Sequence, residues 1–165
     1  VNTPPVGGET GFAGMTAAYE SLSREMQSKL ETLTAVHSYN HLNEMLRHKN
    51  PHRPPLSEKL KREMPPIKRP LVAQHPETGG KALYIPLCHI EKLVGVDEKE
   101  GRELLGGLLE HATGPDFAYM HKWKPGDVVV WDNRAALHAP SPFDDESHVR
   151  LMYRLTFSGK QLVGF

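Results

Sequence analysis

The chain has 165 residues, 38% of them hydrophobic, and its 20 basic and 20 acidic side chains cancel. This length suffices for one domain with a core, and the charge balance gives no electrostatic footprint for nucleic acid or an anionic membrane. No apolar run approaches the ~18 residues of a membrane helix, and the single Cys88 excludes a disulfide framework and points to a reducing, cytoplasmic setting.

Val1-Asn2-Thr3-Pro4-Pro5 has neither a basic nor an apolar leader region, so it does not read as a signal peptide. The absence of an initiator Met reads as a start inside a longer chain. Pro4 to Thr10, with Gly7-Gly8 at its centre, reads as a turn leaving a strand whose beginning can lie before Val1. Thr16 to Leu22 is helical in character. Ser23 opens a second helix, Arg24 to Leu33, with Met26, Leu30 and Leu33 at helical spacing. Thr34 to Ser38 fits a short strand.

Residues 44–70 differ in composition: Arg47, Lys49, Arg53, Lys59, Lys61, Arg62, Lys68 and Arg69 face only Glu44, Glu58 and Glu63. Prolines punctuate the segment from Pro51 to Pro66. It reads as a surface excursion with a short helix near 57–63, either a solvated connection or a mobile lid.

Strand patterns follow. Leu71 to Gln74 and Ala82 to Ile85 flank Pro76-Glu77-Thr78-Gly79-Gly80, which predicts a hairpin. Asp97-Glu98-Lys99-Glu100 resembles a capping box and opens a helix through His111. Its expected buried stripe is Leu104, Leu105, Leu108 and Leu109. Gly106 and Gly107 weaken it by roughly 1 kcal/mol each unless close packing requires them. Phe117 to Trp123 is a predicted strand, Lys124 to Asp127 a turn, Val128 to Trp131 an apolar strand, and Val149 to Phe157 the last strand. Short antiparallel strands with helices outside predict a mainly β chain with flanking helices, arranged as a double-sheet jelly roll.

In the last predicted strand, alternation places Arg150, Met152, Arg154 and Thr156 on one face and Leu151, Tyr153, Leu155 and Phe157 on the other. The two arginines then stand roughly 13 Å apart at a rise of about 3.3 Å per residue. Facing inward, they suit two different anionic groups, because a buried guanidinium is costly unless a carboxylate pairs with it. Facing outward on an edge strand, they are simply solvated. His138 alone carries little weight, since a lone histidine after a turn is usually not a metal ligand.

The blocks "WKPGDVVVWDNRAALHAP" and "RLMYR", with "TPPVGGETGFAGMTAAYESLS", "HPETGGKALYI" and "HATGPDFAYMHKW" upstream, resemble taurine dioxygenase-like enzymes, in the same order over nearly the whole chain. The resemblance implies a double-stranded β-helix of the cupin-like kind that uses Fe(II), 2-oxoglutarate and O2. In that family a His-x-Asp/Glu pair and a distal histidine hold the iron and leave positions open. By match to the motif, His138 is the distal iron ligand and Arg150 grips the far carboxylate of 2-oxoglutarate. Thr10 supports that carboxylate, and Arg154 faces the substrate.

The His-x-Asp/Glu pair should precede Thr10, yet none of the nine residues before it is His and the only acid is Glu9. The chain therefore reads as the C-terminal portion of a single domain over 1–165, lacking the N-terminal strands and two of three iron ligands. His89-Ile90-Glu91 is rejected as the pair, because the family has no metal ligands in that block. His37, His75 and His111 match no catalytic position, and His41, His48 and His52 lie in or beside the basic excursion. The implied function is hydroxylation of a small anionic substrate with release of succinate and CO2. The competing reading is a truncated jelly roll that binds a carboxylate or a protein partner without iron. Expected partners are a small-molecule substrate, no nucleic acid and no membrane; unpaired strand edges also leave room for a homo-oligomer.

Overall fold

The computed structural model describes residues 2–159, with eight strands and five α-helices among them. Strand β1 (Thr10–Gly14) leads directly into helix α1 (Met15–Glu20). Ser23 caps helix α2 (Arg24–Glu31) by accepting from the Met26 amide at 3.2 Å. Strand β2 (Thr34–His37) follows, and Ser38 caps helix α3 (Tyr39–Lys49) through the His41 amide. Ser57 caps the short helix α4 (Glu58–Glu63) in the same way. Strands β3 (Ile67–Pro70), β4 (Val72–Gln74) and β5 (Lys81–Leu83) precede a 3-10 turn at Leu87–His89 and strand β6 (Ile90–Leu93). Asp97 caps helix α5 (Glu98–Ala112), and strands β7 (Ala118–His121) and β8 (Ala136–Pro140) complete the order.

The strands form three antiparallel groups: β7-β1-β8, β3-β2-β6 and the hairpin β4-β5. Gly79, at φ 71°, supplies the left-handed residue of the hairpin loop. Met15, Ala18 and Tyr19 of α1, Leu30 of α2, Leu83 and Ile85, and Leu105, Leu108 and Ala112 of α5 bury one shared core. Helix α1 packs on β5 and α5, so the core lies behind the β7-β1-β8 sheet. No helix among the described residues is long and apolar enough to cross a membrane.

The second helix, the strand at 34–37, the hairpin and the long helix form where their residue patterns place them, within a residue or two at each end. Several expectations need correction. The turn expected through Thr10 ends earlier, and Thr10 itself begins β1. Segment 44–70 begins inside α3 and ends in β3, so it is partly built into the β2 sheet. Leu104 and Leu109 are only half-buried beside Leu105 and Leu108.

Two predicted strands do not form among the described residues. Val128 to Trp131 runs without ladder partners, and of Val149 to Phe157 only Leu151 makes a bridge, to Asn2. Leu151, Tyr153, Leu155 and Phe157, expected to pack on a sheet, are exposed. A strand is stabilised by its neighbour's hydrogen bonds and side chains, and apart from that one bridge no neighbour lies beside these segments among the described residues.

Candidate functional site

The β7-β1-β8 sheet organises the candidate site. Antiparallel register sets Thr10 opposite His121 and Pro140, and Phe12 opposite Tyr119 and His138. Directly opposed residues share a face, so Thr10, Phe12, His121 and His138 lie on one side of the sheet. Gly11, Ala13, Met120, Leu137 and Ala139 lie on the other. That second side is the main sheet wall of an open groove of about 1190 Å³, lined across from it by His37, Tyr84, Ile85 and Cys88. Phe12, His138 and Pro140 of the first side line it too, whereas Thr10, Arg150 and Arg154 do not.

Thr10 is buried, and its hydroxyl oxygen accepts from Trp123 Nε1 at 2.9 Å and from Arg150 Nη2 at 3.1 Å. Arg150 Nε donates to the Gly8 carbonyl at 2.8 Å. Gly8 sits at φ 72°, and a Cβ there would stand 2.7 Å from Pro4 Cγ and 3.2 Å from Arg150 Cδ. A side chain at position 8 would thus displace the guanidinium stem. Arg150 makes no ion pair with a carboxylate among the described residues, although it is half-buried. A partly desolvated guanidinium with spare donors is a site for an anion.

His138 is exposed on β8, two positions before Pro140. Its ring lies 4.9 Å from Trp131 and 6.2 Å from Phe12, and Trp131 meets Phe12 edge-on at 5.2 Å. Partial loss of hydration, reinforced by the Arg154 charge, holds the His138 pKa below the ordinary histidine value. The neutral imidazole that results is the form able to bind a metal. Arg154 is exposed and makes no ion pair with a carboxylate among the described residues. Thr10 and Arg150 are thus brought into contact, and the Arg154 charge is felt at His138.

Other polar groups near the site are internally paired. His121 Nε2 bonds Asp127 Oδ2 at 3.1 Å, and its Nδ1 bonds the Tyr119 hydroxyl. Ser141 donates to Glu9 Oε2 at 2.6 Å, which lowers the Glu9 pKa and fixes the strand start beside Thr10. His89 Nδ1 faces Cys88 Sγ at 3.2 Å, and burial raises the Cys88 pKa. Trp123 was not singled out from the sequence. Its partner lies 113 residues away, and nothing in the local pattern announces that contact.

Among the described residues, no three His, Cys, Asp or Glu side chains come together where a metal ion could be held. His138 offers one nitrogen, so these residues alone do not fit an iron centre. The Thr10–Arg150 pair does fit a carboxylate.

The family model described as "Taurine catabolism dioxygenase TauD, TfdA family" matches residues 1–156. The chain is 42% identical over 144 residues to an alpha-ketoglutarate-dependent 2,4-dichlorophenoxyacetate dioxygenase of Cupriavidus pinatubonensis, covering 87% of this chain and 48% of that protein. A crystal structure of a putative alpha-ketoglutarate dependent 2,4-D dioxygenase from Burkholderia xenovorans superposes with a TM-score of 0.79 at 37% identity, covering 92% of this chain and 56% of that one. A crystal structure of AAD-2 in complex with Mn(II) and N-oxalylglycine superposes with a TM-score of 0.74 at 36% identity, covering 87% and 55%. The chain spans about half the length of the curated relatives it matches. With the family model covering 1–156 and the quoted blocks in order, the chain belongs to the TauD/TfdA family of dioxygenases.

Proposed function

We propose that this chain is the C-terminal part of an Fe(II)- and 2-oxoglutarate-dependent dioxygenase that hydroxylates a small anionic organic molecule. The observation that carries the reading is the Arg150–Thr10 contact: a half-buried guanidinium, anchored on the Gly8 carbonyl and the Thr10 hydroxyl, with no carboxylate among the described residues to neutralise it. It is a cradle for the distal carboxylate of 2-oxoglutarate. His138 stands on the same sheet face as one nitrogen donor, and the other two iron ligands come from outside the described residues. His138 would contribute one of the ligands to a metal completed by residues outside those described, and that metal would supply the O2 activation that turns 2-oxoglutarate into succinate and CO2. This chain's own work is to hold the cosubstrate carboxylate and, through Arg154, to meet an anionic substrate. Relatives named for phenoxyacetate and phenoxypropionate substrates support an aryloxy acid or a similar anion.

In this reading, 1–165 is one portion of a single jelly-roll domain. Val128 to Trp131 and Val149 to Phe157 become its strands once upstream strands lie beside them. Glu63, Met64, Pro65, Ile67 and Arg69 line the groove, which favours a wall or lid role for the end of segment 44–70 over a purely solvated connection. The protein acts in the cytoplasm on a small molecule, with no nucleic acid and no membrane. The incomplete ligand set favours one other reading, a jelly roll that binds a carboxylate without iron.

Saturation curves in the polypeptide that includes its upstream part test the proposal. Arg150→Ala should mainly weaken 2-oxoglutarate, by about 2–5 kcal/mol, or roughly 30- to several-thousand-fold. Arg154→Ala should mainly weaken the primary substrate. Lys at either position should rescue only in part, because an ammonium lacks the planar fork. An unchanged 2-oxoglutarate curve for Arg150→Ala removes the cosubstrate assignment. Carboxylate binding without any turnover in iron leaves the non-catalytic reading standing.

A further inference from the structure

His75 closes the β4–β5 hairpin, far in sequence from β8, yet its ring reaches the segment that leads into β8. It is buried, and its Nδ1 accepts from the amides of Glu77 and Thr78 at 3.3 and 3.2 Å. Nδ1 is therefore the unprotonated nitrogen, and Nε2–H donates to Asp132 Oδ2 at 3.1 Å. The same carboxylate accepts from the Arg134 amide at 2.8 Å and from Arg134 Nε at 2.9 Å, and Arg134 also reaches Glu77 at 3.6 Å. Arg134 holds the Asp132 carboxyl well below the usual carboxylate range, so it remains an acceptor. One aspartate is thus gripped from two sides, by the hairpin and by its own turn.

The backbone of Asp132 completes the connection. Its carbonyl accepts from the Ala135 and Ala136 amides at 3.1 and 3.0 Å, and the Ala135 carbonyl accepts from Met15 N at 2.9 Å. Ala136 opens β8, with His138 two residues on. On the other side of Asp132, Trp131 packs its ring against His138. Displacing the carboxylate would shift both the ring that packs on His138 and the turn that sets where β8 begins.

From this geometry we infer that His75 is a positioning residue: through Asp132 it fixes Trp131 and the start of β8, and so sets the placement of the His138 imidazole. The inference rests on the reading of His138 as a metal ligand only for its consequence in metal binding, not for the clamp itself. Residues that orient a ligand from behind typically alter metal affinity about 10- to 100-fold when removed.

The test uses the polypeptide with its upstream part and the variants His75→Phe, His75→Gln and Asp132→Asn. Two measurements are made: amide hydrogen exchange across 131–140, and Co(II) affinity with the visible d–d spectrum. His75→Phe should speed exchange at Ala135, Ala136 and the β8 amides at least about tenfold. It should also weaken Co(II) about 10- to 100-fold with an altered spectrum. The affinity for 2-oxoglutarate should stay within about twofold, because Thr10 and Arg150 are not part of the clamp. Gln, whose amide can donate to Asp132, should restore part of the protection, and Asp132→Asn should behave like His75→Phe. If His75→Phe does not fold, the Gln and Asn variants carry both readouts. Lost protection confined to 76–80, with 131–140 and the Co(II) spectrum unchanged, overturns the inference and leaves His75 a loop brace. If the unsubstituted protein binds no Co(II), the metal-ligand reading fails instead, and exchange at 131–140 alone decides the clamp.

Discussion

His37 shows how a single side chain couples this fold to pH. It lies in β2 opposite Ile67 and Ile90, is 8% exposed, and stacks on Tyr84 at 5.4 Å. Its Nε2 is buried without a hydrogen-bond partner among the described residues. Burial, with the His89 and Arg69 charges adding to it, pushes the pKa down to about 4. The unfolded chain has an ordinary histidine, near pH 6.5. Between those values the unfolded state binds more protons, so stability is complete above about pH 6.5 and falls as pH drops towards 4. The full effect is about 3 kcal/mol, of which roughly 2 kcal/mol is lost by pH 5. His37→Phe keeps a ring against Tyr84 and cannot titrate. Urea unfolding at pH 7.5 and pH 5.0 should therefore show a shallower acid loss in the variant, and an equal loss in both would assign the acid sensitivity to other groups. None of this was legible in the sequence, where His37 was one of ten histidines; a two-residue alternation shows which face a residue takes, but not whether its ring nitrogen finds a partner. The pairing of Thr10 with Arg150 was legible only through the family blocks. The alternation argument that set Arg150 beside Arg154 presumed a strand that the described residues do not form, and Arg150 reaches Thr10 from irregular chain.

Elements with strong local signals were the legible ones. Ser23 and Asp97 each accept from backbone amides at a helix start, as their positions announced, and Ser57 does the same at the start of the short helix expected near 57–63. Helix α3 escaped because its buried side chain is Asn43, not an apolar stripe. Asn43 Oδ1 accepts from Arg53 Nε at 2.7 Å and its Nδ2 donates to the Pro54 carbonyl, so the basic, proline-rich segment folds back on the helix through polar contacts. Strands β6 and β8 escaped because each is defined by a partner distant in sequence. In α5 the sequence left one question open, whether Gly106 and Gly107 are there for packing. A Cβ at either position would meet nothing within 4 Å among the described residues. Neither glycine has a positive φ, so alanine fits the backbone of both. Gly106→Ala and Gly107→Ala should each stabilise the fold by about 0.5–1 kcal/mol, a rise of roughly 1–3 °C in Tm. A calorimetric scan that shows a lower Tm instead would mean that another part of the polypeptide packs closely on that side of α5.

At the scale of the whole molecule, the chain exposes more surface than a compact monomer of its mass. It exposes 11126 Å² at a mass of 18.5 kDa, whereas a compact monomer of that mass exposes about 8,200 Å². The exposed apolar side chains concentrate in the two segments that the sequence marked as strands. Val128 and Val130 are 87% and 90% exposed, and Tyr153, Leu155 and Phe157 are each more than 80% exposed. The apolar run of the first and the alternation of the second predict strands that the described residues do not form, because a strand needs a neighbour and a pattern in one segment cannot supply it. Extended chain with free amides and carbonyls beside apolar side chains is a template for pairing with another chain. The 165-residue chain on its own should therefore self-associate at micromolar concentration and bind hydrophobic dyes, while the polypeptide with its upstream part should do neither. Val130→Lys with Leu155→Lys, which places a charge on each unpaired segment, should lower the association of the isolated chain without lowering its helix content. Size-exclusion light scattering with thermal melts checks all three samples. A monomeric isolated chain with one cooperative melt would show that these segments find their own partners, and the division of the domain between this chain and an upstream part would have to be abandoned.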